Sequence, residues 1–83
     1  MNNYEMQAYA IMAQNVEKLA SHLNSVDPTG KVVAIEEINH RKNVFNEILQ
    51  ERKDDTGVYT FEDIIEAHQD FTNEYNRAIL NLK

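Results

Sequence analysis

Cysteine is absent from this 83-residue chain. That excludes disulfides, thiolate metal sites and thiol catalysis. Proline occurs once and glycine twice, so helix breakers are few. The abundance of Ala, Leu, Ile, Glu and Gln favours helices instead. No uncharged apolar run approaches the ~20 residues that cross a bilayer. The opening "MNNYEMQAYAIMAQ" lacks a basic leader, carries Glu5 and is broken by Gln7 and Gln14, unlike a secretory signal. A cytoplasmic protein, or one exported by a route that leaves no cleaved signal, is expected, without a membrane partner.

Positive charge is also scarce. Eight basic residues face fourteen acidic ones, a formal net charge of −6. Nucleic acid repels such a chain unless it has a concentrated basic face, and no nucleic-acid partner is expected. Catalytic signatures are missing as well: there is no Gly-x-Ser-x-Gly elbow and no His-Glu-x-x-His. Ser21 and His22 are adjacent, which sets them about 100° apart on a helix. Gly30-Lys31 lacks the upstream Gly and following Ser or Thr of a phosphate loop. "KDDTG" lacks the alternating oxygens of a calcium loop. No catalytic residue and no cofactor are expected.

What is present is helical periodicity between two turns. "SVDPTGK" (25–31) and "KDDTGVYT" (53–60) hold the proline and both glycines and read as turns. The first helix is predicted over about 4–25. Its seam is Tyr9, Met12, Val16, Leu19, Leu23 and Val26, spaced by threes and fours. Tyr4, Ala8, Ile11 and Ala20 widen it. The second helix is predicted over about 29–53, with Asp27-Pro28 as cap and first turn. Ile35, Ile38, Phe45 and Leu49 form its seam, and Lys42 interrupts it. The third is predicted over about 60–82. Thr60 and Asp63 resemble a capping box there, with Tyr59 and Ile64 placed as a hydrophobic staple. Its seam is Phe61, Ile64, His68, Phe71, Tyr75, Ala78 and Leu82, and His68 is its polar break.

This is an all-α chain forming a single small domain. Either an antiparallel three-helix bundle or a helical hairpin plus a third helix satisfies the pattern. With turns centred near Pro28 and Gly57, the breaks at Asn15, Lys42 and His68 fall near one level. They are predicted to form a polar core layer, a device that sets register at some cost in stability. His68 is then expected to respond to pH, disfavoured as a cation by Lys42 and favoured by Asp70.

Glu37 and His40 have the Glu-x-x-His spacing of helical di-iron proteins. Rotation of about 100° per residue puts His40 opposite the Ile38–Phe45–Leu49 face, and no second copy of the motif exists. The pair reads as solvated surface, and no metal is expected. Lys31, Arg41, Lys42, Arg52 and Lys53 concentrate the basic residues on the second helix, against Glu62, Asp63, Glu66, Asp70 and Glu74 on the third. Arg52 is expected near Asp63, and Arg41 near Asp70 or Glu74.

The remaining signal is a wide apolar stripe on the first helix. Tyr, Met and other large apolar side chains gather where proteins meet. A non-enzymatic protein-interaction module is expected, acting as a regulator, inhibitor or adaptor on a larger protein or complex. Its surface would be Tyr4, Tyr9, Ile11 and Met12, rimmed by Glu66, Asp70 and Glu74. A self-assembling structural subunit with the stripe buried between copies, a homodimer included, is the alternative. An acidic imitation of nucleic-acid charge is a third reading. Architecture of this kind is shared by adaptor subunits, secretion chaperones, filament subunits and phage-encoded inhibitors, so it does not choose a function.

Overall fold

The structure is a computed structural model, and it describes residues 3–27, 35–54 and 58–82. Three helices account for nearly all of them: α1 Asn3–Val26, α2 Ile35–Asp54 and α3 Phe61–Leu82. No strand occurs among the described residues. The expected start of the second helix near residue 29 lies outside them, and so does most of the proline turn.

Start signals act where the residues supply them. The Thr60 hydroxyl accepts from the Asp63 amide at 3.3 Å, and Asp63 Oδ2 accepts from the Thr60 amide at 2.9 Å. This is a complete reciprocal capping box with Asp in place of Glu, and it satisfies two amides at a helix start. At the end of α1 the Asp27 amide donates to the Leu23 carbonyl at 2.9 Å, and Asp27 is buried.

Each helix packs on both others, so the chain is a three-helix bundle, not a hairpin with a separate third helix. One core runs through it: Tyr9, Val16, Ala20 and Leu23 from α1, Ile38, Phe45 and Leu49 from α2, and Ile64, Ala67, Phe71 and Ala78 from α3. Cross-helix contacts give the directions. Tyr9 meets Phe61, Asn15 meets His68, and His22 meets Tyr75. The partners stay about 53 apart in sequence along the whole length, so α1 and α3 run parallel. Glu5 meets Arg52 and Glu17 meets Lys42, so α2 runs antiparallel between them. On α3 the three contacts fall on Phe61, His68 and Tyr75, one heptad apart.

The seam needs one correction. Val26 is 46% exposed. A seven-residue repeat drifts by about 20° per heptad on a straight helix. Met12 and Leu19 are accordingly only partly buried, and Val26, next in that row, has turned out of the core. Ala67, outside the expected seam, is buried instead.

Candidate interaction surface

Two polar clusters set the faces that remain exposed. The first lies where the start of α1 meets the end of α2. Tyr9 is fully buried; its hydroxyl donates to Glu5 Oε2 at 3.2 Å and accepts from Arg52 Nε at 3.2 Å. Arg52 Nη2 also reaches both Glu5 oxygens, at 3.3 and 3.2 Å. Every group has an opposite or complementary neighbour, so the buried ring carries its polar end without an unsatisfied atom. Burial raises the Tyr9 pKa above its ordinary value; the Arg52 hydrogen bond acts against that rise and the Glu5 charge adds to it. The hydrogen bonds that Arg52 donates to Tyr9 and then to Glu5 hold it more firmly protonated still.

Arg52 therefore does not pair with Asp63, as expected from its level in the bundle. The Asp63 carboxylate is committed to the Thr60 cap, while Glu5 and Tyr9 offer acceptors across the α1–α2 contact. Nor does Arg41 reach α3. It pairs with Glu37 one turn earlier at 3.1 Å, and Glu74 pairs with Arg77 at 3.3 Å. Tyr9 itself leaves the proposed binding face, because its ring belongs to the core.

The second cluster is at mid-height. Asn15 Nδ2 lies 3.1 Å from His68 Nε2, and the His68 ring stands edge-on to Phe45 at 6.0 Å. Burial lowers the His68 pKa below 6.5; neither Lys42 nor Asp70 causes the shift. Lys42 makes a separate link, Nζ to Glu17 Oε1 at 3.2 Å. The structure thus joins Asn15 to His68, whereas Lys42 bonds to α1 beside them.

These clusters have a joint effect on α1. Its two carboxylates are Glu5 and Glu17, and both turn toward α2. The outward side of α1 is left without an acid. Tyr4 is 75% and Ile11 67% exposed there, seven residues apart on the same side. Beside them is a groove of about 290 Å³, lined by Ile11, Met12, Gln14, Asn15, Lys18 and His68. Lys18 forms no ion pair among the described residues.

The far wall of the groove is the side of α3 that carries His68. Glu62, Asp63, Glu66, Asp70 and Glu74 all lie roughly 120° or more around α3 from His68 at 100° per residue. The expected acidic rim is therefore on the opposite flank of α3 and does not border Tyr4 and Ile11. Glu66 and Asp70 are exposed on that flank, and Glu74 is half-buried.

Glu37 and His40 remain apart from any such site. Glu37 is held by Arg41, and His40 is exposed. No group of three metal-ligating side chains occurs among the described residues. No described helix is long and apolar enough to cross a membrane. The chain matches no family model, no curated protein and no solved structure.

Proposed function

We propose that the chain is a non-enzymatic protein-interaction module that works by docking the outward side of α1, with the α1–α3 groove, against another protein. The observation that carries this is the exposure of Tyr4 and Ile11 on an acid-free strip of a molecule with net charge −6. Water gains when such side chains are covered. A carboxylate-free strip also costs less to desolvate than the rest of this surface. Regulation, inhibition or adaptation of a larger assembly all use a surface of this kind. Self-assembly through the same strip is the second reading, favoured by the same exposure.

The test is capture from the native host with immobilised wild-type chain and with Ile11→Asp. A protein retained by the first and lost by the second supports the module. Retention of the same proteins by both would place the binding surface elsewhere. Because Ile11 points to solvent, the substitution should leave helix content unchanged by circular dichroism.

A further inference from the structure

The strip on α1 has an internal symmetry. Tyr4, Ile11 and Lys18 are spaced by seven residues, so they form one row along the helix, with about 10.5 Å between neighbours. The aromatic ring is at one end, the branched aliphatic in the middle and the cation at the other end. Reversing the row about Ile11 exchanges ring and cation. Between them, the same reversal sets Gln7 against Asn15 and Ala8 against Gln14.

We propose that the occupant of this face is a second copy of the chain, paired antiparallel through α1 about a twofold axis at Ile11. This rests on the α1 strip being the docking surface, and of the two readings of that strip it takes the second, self-assembly, in place of a different protein. The two Ile11 side chains meet at the axis, and each Lys18 lies over the other copy's Tyr4 ring, an attraction between a cation and the negative face of the aromatic. Gln and Asn amides pair on either side. Each α1 also lies along the α1–α3 groove of its mate. Because α1 and α3 are parallel, the incoming helix is antiparallel to both.

Charge selects this face over the others. Two molecules of net charge −6 repel at any contact that brings acids together. The two acids of α1 are turned to Arg52 and Lys42, and those of α3 lie on its far flank. The strip is where two copies approach with least repulsion, and it supplies to each side one cation, Lys18, that forms no ion pair among the described residues. A twofold contact uses the same patch on both molecules and closes at two. It therefore makes a dimer and not a filament.

The absence of cysteine makes the register directly testable. Sedimentation equilibrium of the wild-type chain should give twice the 9.7 kDa monomer mass, and Ile11→Asp should give the monomer. Under mild oxidation, Ile11→Cys should cross-link with itself, since the two Cα atoms of a residue on the axis come within disulfide reach. Lys18→Cys alone should not cross-link, but mixed with Tyr4→Cys it should. A monomer mass up to millimolar concentration overturns the proposal, as does a mass above the dimer. Self-cross-linking of Lys18→Cys overturns the antiparallel register. If the chain is monomeric and Ile11→Asp still loses a host protein, the dimer falls and the interaction module stands.

Discussion

Burial acts on Tyr9 and His68 by one rule: each is held in its neutral form. For His68 the hydrogen bond adds a geometric reason. An Asn15 amide nitrogen donates to Nε2 only while that nitrogen keeps its lone pair. Protonation sets two donors against each other at 3.1 Å. A histidine pKa lowered on folding means that the unfolded chain binds the extra proton more readily. Its contribution to stability is therefore complete above the ordinary value of 6.5 and is lost as pH falls through the lower folded value. The thermal midpoint should decline between about pH 7 and about pH 5, in the window where histidine charges. In His68→Gln that part of the decline should disappear, because a glutamine acceptor does not titrate. An equal decline in both chains would assign it to other groups; His22→Gln, at an exposed site, is the matched control.

At the scale of the elements, the third helix depends on its start. Thr60 and Asp63 each satisfy the other's amide, so removing either undoes one half of a shared device. Thr60→Ala and Asp63→Ala should each cost about 1 kcal/mol in urea unfolding. The double variant should cost less than the two added, since partners in one motif are not independent. Strict additivity would mean that the two bonds act separately. This cap was legible from two letters of sequence, Thr60 and Asp63, as was most of each seam, because both are local patterns. The side on which a charge finds its partner was not. A hairpin turning near Pro28 sets Glu5 level with Arg52, yet Asp63 lies level with it too. Only the cap's hold on Asp63 and the buried Tyr9 hydroxyl decide between them. The acid-free strip lies in the spacing itself, since Glu5 and Glu17 each stand six residues from Ile11, about 120° around α1; what the sequence did not show is that both bond to α2. Tyr9 and Ile11 look alike in a stripe, but two residues' rotation puts one at the centre of the core and the other in water.

For the whole molecule, the shared core has a cooperative consequence. Phe45, Phe71 and Leu23 come from three different helices and are all fully buried. A chain of this size keeps little core to spare, since it buries only roughly 60% of its unfolded surface. Loss of α3 would uncover the inner sides of both other helices. Urea unfolding followed by circular dichroism and by tyrosine fluorescence should therefore give one coincident transition. Two separated transitions would show a hairpin that survives release of its third helix. The parallel run of α1 and α3 reaches further. Every helix carries a dipole equivalent to roughly half a charge at each end, positive at its start. Two of the three point one way here, so the bundle has an electrical head and tail. At the head, Glu5, Glu62 and Asp63 oppose the two positive starts, and Arg52 and Lys53 oppose the negative end of α2. At the tail, neither α1 nor α3 has a basic residue in its last turn, so among the described residues of those two helices no cation opposes their negative ends. Two such molecules laid side by side in the same direction would bring their negative tails together, whereas in opposite directions the tails stand a bundle's length apart.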